Sequence, residues 1–114
     1  MNKNIEISIS DKGGVSIITI KGDVTAITGS AIEAAYEKVS SAGVKKILLY
    51  FDKEGYINSG GIAVLIGIAS ESRKKEQVIR ITGLSDHFQK IFYMVGLTKY
   101  TELFPSEDLA LKDF

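Results

Sequence analysis

The run Ile47-Leu48-Leu49-Tyr50-Phe51 carries no charged residue and none of the polar alternation of a half-exposed strand. It reads as a buried central strand, and such a strand has to be covered on both faces. On its N-terminal side, Ile5 to Ser10 alternates apolar and polar, Asp11-Lys12-Gly13-Gly14 supplies a turn, and Val15 to Lys21 is rich in β-branched residues. These features predict a β-hairpin. Gly22-Asp23 ends it, and Ile32, Ala35, Tyr36 and Val39 then share one helical face, with Gly43 placed to close that helix. On the C-terminal side, a helix from about Ser59 to Glu76 begins apolar and ends in Glu71, Arg73, Lys74, Lys75 and Glu76, so its first half is expected to be buried and its end solvated.

Gln77 to Thr82 reads as another strand and Gly83 as a turn. Ser85 is placed to cap a helix carrying Phe88, Ile91, Phe92 and Val95, which Gly96 stops. A short strand around Glu102-Leu103-Phe104 precedes Pro105, and Ser106 is placed to cap a last turn or two with Leu109 and Leu111. Two strands followed by alternating helix and strand predict an α/β fold, with a mostly parallel sheet opened by an antiparallel hairpin.

At 114 residues the chain is expected to form one domain with a real core. Fourteen Lys and Arg balance fourteen Asp and Glu, so there is no electrostatic footprint for nucleic acid. Without cysteine there is no disulfide, thiolate metal site or cysteine nucleophile. With His87 as the only histidine, a catalytic triad or a zinc site is poorly supplied. The longest apolar run, Ile62 to Ala69, is under half a membrane span, so the expectation is a cytoplasmic protein without membrane insertion.

The stretch Tyr56-Ile57-Asn58-Ser59-Gly60-Gly61-Ile62 puts a polar pair and two glycines ahead of the apolar helix. Asn and Ser are good N-caps, and adjacent glycines imply close backbone approach or an open helix start. If Ser59 is the cap, the free amides and roughly half a positive charge at the helix start would welcome an anion. Asp23, Asp52 and Glu54 follow strand ends, where solvated turns are commoner than metal or acid-base sites. His87 is expected at the surface, and Phe88, Phe92, Tyr93 and Met94 in the core.

Taken in order, Ile20-Lys21-Gly22-Asp23-Val24, the strand Ile47 to Phe51 leading into Ile57-Asn58-Ser59-Gly60-Gly61-Ile62-Ala63-Val64-Leu65, and Ile91-Phe92-Tyr93-Met94-Val95-Gly96-Leu97 resemble a STAS domain over nearly the whole chain. This is the fold of bacterial anti-sigma-factor antagonists and of a tail domain in sulphate transporters. The resemblance implies a mixed sheet of about five strands with about four helices packed on it. In the antagonists the motif typically reads Ile-Asp-Ser-Ser-Gly-Leu, and a partner kinase phosphorylates the second serine. Here Asn58 stands at the aspartate, Ser59 at the first serine and Gly60 at the acceptor, while Tyr50 replaces an aspartate that commonly ends the third strand.

The resemblance implies a non-enzymatic, cofactor-free interaction module in partner-switching signalling. Its partner would be an anti-sigma factor or a serine kinase of that type, met through Asp23, Val24, Thr25, Asn58, Ser59, Gly60, Gly61 and Ile62. Ser59, the only hydroxyl from Asn58 to Ala63, is the candidate phosphosite. A monomer or weak dimer is expected. Two alternatives stand beside this: a constitutive scaffold or subunit of a larger assembly, and a small-molecule or nucleotide-binding domain using the Gly60-Gly61 amides with Asp23 or Asp52.

Overall fold

The computed structural model describes residues 5–114. The hairpin is β1 (Ile5–Lys12) and β2 (Val15–Gly22), followed by α1 (Gly29–Ser41), β3 (Lys46–Tyr50), α2 (Ser59–Lys74), β4 (Val78–Thr82) and α3 (Asp86–Met94). A 3-10 turn (Leu97–Lys99), β5 (Thr101–Phe104) and α4 (Glu107–Leu111) complete the chain. The sheet runs β1-β2-β3-β4-β5. Its first pair is antiparallel and the other three are parallel. This is the α/β mixed sheet with four α-helices that the alternating elements predict.

Both faces of the central strands are covered, which is why their sequences lack polar alternation. Ile18, Ile20, Ile47, Leu49, Ile79 and Ile81 point to one side and pack with Ile32 and Val39 of α1, Leu65 and Ile68 of α2 and Phe92 of α3. Val15, Ile17 and Leu48 point to the other side and meet Ala110 of α4. Tyr50 lies at the edge of this second cluster, half-buried.

Arg80 of β4 fastens the second layer. Its guanidinium donates to the carbonyls of Ala110 (3.0 Å), Lys112 (2.9 Å) and Asp113 (3.3 Å). It also lies over the rings of Phe104 and Phe114, at 4.9 and 4.3 Å from their centroids. Carbonyls with no partner at the end of a short helix thus gain a cation that matches them in charge and hydrogen bonding.

Gln77 lies just before β4; its buried side chain is held by α1, and its backbone N–H donates to the Ser72 carbonyl of α2 at 2.9 Å. The Tyr36 hydroxyl donates to Gln77 Oε1 at 2.6 Å, and Gln77 Nε2 donates to Ser40 Oγ at 2.9 Å. Burial pushes the Tyr36 hydroxyl pKa up, the nearby carboxylates of Glu71 and Glu37 push the same way, and a hydrogen bond with Ser40 opposes them. Tyr36→Phe should cost about 1–3 kcal/mol, because it leaves a buried acceptor on Gln77 without its donor. The raised folded value also means that Tyr36 stabilises fully below its unfolded pKa and that this stability is lost as pH rises above it. Denaturant titrations at neutral and alkaline pH should show that loss reduced in Tyr36→Phe.

Two expectations about burial are corrected. The first half of α2 is not buried all round: Leu65, Ile68 and Ala69 face the core, but Ala63, Ile66 and Gly67 are exposed. On α3, Phe88 and Phe92 are core as expected, whereas Tyr93 and Met94 are 73% and 75% exposed. In each case one face of a helix is sufficient to cover the sheet, and the remaining apolar residues lie on the opposite face.

Candidate functional site

At the carboxyl ends of β2 and β3 two connections run side by side. Val24 N–H donates to the Tyr56 carbonyl (2.7 Å), Asn58 N–H donates to the Val24 carbonyl (3.1 Å), and Val24 and Ile57 form a parallel bridge. Asp23 Oδ1 accepts from the Tyr56 amide at 2.9 Å. The second loop is held within itself as well, since Asp52 Oδ1 accepts from Glu54 N–H at 3.0 Å.

Thr25 and Thr28 lock the first loop. Thr25 Oγ1 accepts from the amides of Ile27 and Thr28, while Thr28 Oγ1 accepts from Thr25 N–H (2.8 Å) and donates to the Asp23 carbonyl (2.7 Å). Side-chain oxygens here replace the backbone pairing that a turn between strand and helix would otherwise lack.

Asn58, not Ser59, caps α2. Its Oδ1 accepts the Gly61 N–H at 2.9 Å, and its carbonyl accepts the Ile62 N–H, also at 2.9 Å. Ser59 is the first helical residue and is exposed. The glycines serve close approach: a Cβ on Gly60 would lie 2.9 Å from Ala26 Cβ, and one on Gly61 would lie 2.4 Å from the Val24 carbonyl oxygen. The position that holds a serine in the resembling family is therefore occupied from the side by the first loop.

The structure brings Asp23, Val24, Thr25, Asn58, Ser59, Gly60, Gly61 and Ile62 into one small region, but with different exposures. Val24 is 1% exposed and Gly61 is buried, so their side of the ladder faces inward. Residues that do face solvent include two absent from the sequence-based set: Ile27, 84% exposed, and Tyr56, 59% exposed with its ring edge-on to Phe88 at 5.8 Å. An isoleucine in a small-residue loop outside any helical or strand period was the available signal for the first. Ser59, Ala63 and Ile66, at i, i+4 and i+7 on one face of α2, are exposed as well.

Three of the groups named for a small-molecule site make bonds within the loops. Gly61 N–H is held by Asn58, and the carboxylates of Asp23 and Asp52 accept backbone amides. Among the described residues no cluster of His, Asp and Glu is arranged to hold a metal ion, and no helix is long and apolar enough to cross a membrane.

Comparison with known proteins agrees with this fold. The anti-sigma-B factor antagonist of Listeria monocytogenes is 29% identical over 105 residues, covering 90% of each chain. The crystal structure of an anti-sigma factor antagonist from Mycobacterium paratuberculosis superposes with a TM-score of 0.82 over 95% of this chain and 92% of that one, at 21% identity. SpoIIAA of Bacillus in its phosphorylated form gives 0.65 over 91% and 96%, at 15% identity. The STAS domain family model matches residues 6–110, the whole region from the hairpin to α4, and on that match the chain belongs to the STAS domain family.

Proposed function

We propose that this chain is a non-enzymatic recognition module of the anti-sigma-factor-antagonist type, which binds an anti-sigma factor or a serine kinase of that type through the face around Ser59. The observation that carries the reading is Ile27. A β-branched side chain 84% exposed on a loop locked by Thr25 and Thr28 is preorganised apolar surface, and such surface is what binding rewards. The names of its relatives, anti-sigma-B factor antagonists, support the partner class.

Ser59 is the proposed phosphosite on that face. It lies exposed at the first position of α2, whose opening turn holds no acidic residue. A phosphate there would add roughly −1.5 to −2 charges beside the positive end of the helix, stabilising the helix while altering the surface a partner meets. A second reading, constitutive binding without a switch, is favoured by the packing of Gly60 against Ala26, which leaves no acceptor side chain at that position.

The test uses the purified chain and an ATP-dependent anti-sigma kinase from the same cell, with affinity read by calorimetry. Ile27→Asp should weaken binding at least about tenfold, as expected for an exposed apolar anchor, with the melting temperature unchanged. Ser59→Asp should raise helix stability by about 0.5 kcal/mol and weaken binding. No measurable complex with any such kinase would remove the reading. Binding by a chain whose Ser59 stays unmodified in its own cells would select the constitutive form.

A further inference from the structure

The exposed end of α3 and a groove between α1 and α2 carry opposite charges around apolar residues. Tyr93 and Met94 project from the last turn of α3, and Val95 and Tyr100 follow at 44% exposure each. Hydrogen bonds from Gly96 N–H to the Tyr93 carbonyl (3.2 Å) and from Tyr100 N–H to the Leu97 carbonyl (3.0 Å) fold this segment into one compact projection. Lys90, one turn back, and Lys99 are exposed, and neither pairs with a carboxylate among the described residues. Arg73 adds a third cation, lying 5.5 Å over the Tyr100 ring and donating to the Lys99 carbonyl at 3.1 Å.

Between α1 and α2 lies a groove of about 310 Å³ lined by Glu33, Tyr36, Glu37, Gly67, Ile68 and Glu71. Gly67 leaves it open, since nothing lies within 4 Å of where its Cβ would be, and buried Tyr36 and Ile68 give it an apolar floor. Glu71 is 3.7 Å from Lys75, whereas Glu33 and Glu37 are exposed and have no cation partner among the described residues. The groove is therefore apolar beneath, with the Glu33 and Glu37 carboxylates along its α1 side and Lys75, 5.7 Å over the Tyr36 ring, neutralising Glu71, while the projection is apolar at its tip and positively charged around it.

We propose that one copy of this chain seats its Tyr93-Met94 projection in the α1–α2 groove of a second copy, with Lys90 and Lys99 facing Glu33 and Glu37. The two surfaces are different parts of the molecule, so the contact is head-to-tail and leaves a free groove at one end and a free projection at the other. Gly67 lies eight residues beyond Ser59, roughly 12 Å along α2, so the contact does not require the Ser59 face. It stands independently of the proposed partner.

Sedimentation velocity of the full chain from ~10 µM to ~1 mM, at roughly 30 and 300 mM salt, tests this, because screening weakens charge pairing. The average mass should rise with concentration, and rise less at the higher salt. The double variants K90E/K99E and E33K/E37K should each weaken self-association at least about tenfold, and an equimolar mixture of the two should restore it. All four side chains are exposed, so melting curves matching the parent chain check that each variant is folded. A chain monomeric at every concentration, association indifferent to both reversals, or a mixture that stays monomeric would overturn the proposal.

Discussion

Gly61→Ala is expected to lower the unfolding free energy by about 3 kcal/mol, a fall of roughly 10 °C in melting temperature for a chain of this size. The added methyl would lie 2.4 Å from the Val24 carbonyl oxygen. That oxygen accepts the Asn58 N–H, so neither side of the contact can retreat without opening the ladder that joins the two loops. The effect should therefore combine lost stability with a displaced Asn58 cap, visible as faster amide exchange at Gly61 and Ile62. If Gly61→Ala melts with the parent chain, the close approach of α2 to the Val24 strand end is not what positions this face.

Arg80→Ala should cost about 2–4 kcal/mol, because one substitution removes three hydrogen bonds from a charged donor together with two ring contacts. The loss should be local. Residues 105–114 would come away from the sheet, leaving Val15, Ile17 and Leu48 without part of their cover, while the α1–α3 side stays packed. Hydrogen exchange resolves this, with protection falling at Leu109 and Ala110 but not at Leu65 or Phe92. Arg80→Lys should recover little, since an ammonium cannot reach three carbonyls from one plane or stack on Phe104 and Phe114. Full protection of α4 in Arg80→Ala would show that apolar contact alone holds that helix.

Most of the fold was legible because its signals are local and agree with one another. The apolar run at β3, the Gly43 stop and the caps at Ser85 and Ser106 each act within a few residues, and the structure places all of them as expected. The errors lie where packing partners decide. Periodicity shows that Phe88 and Phe92 share a helix with Tyr93 and Met94, but only the position of the sheet shows that the second pair faces solvent. The apolar start of α2 misled for the same reason.

At the candidate site, the two glycines correctly signalled close approach, but what they approach comes from a loop more than thirty residues earlier in the chain. The choice of Asn58 over Ser59 as cap followed from backbone direction: Asn58 is extended, with φ −93° and ψ 179°, and its amide oxygen reaches the Gly61 N–H. Ile27 had no periodic neighbours to mark it. Its exposure follows from the Thr25–Thr28 turn, which fixes the backbone without burying that side chain.

The strand order β1-β2-β3-β4-β5 has a consequence for how the molecule comes into being. Every strand after the first pairs with the one made just before it, so no strand must wait for a distant later strand to find its neighbour, and loop closure costs little. As the chain leaves the ribosome N-terminus first, the hairpin, β3 and the start of α2 are available together once residue 74 has emerged. Both loops of the Ser59 face can then be zipped before α4 is synthesised. The Arg80 clamp arrives last, closing a layer beneath a face that is already formed.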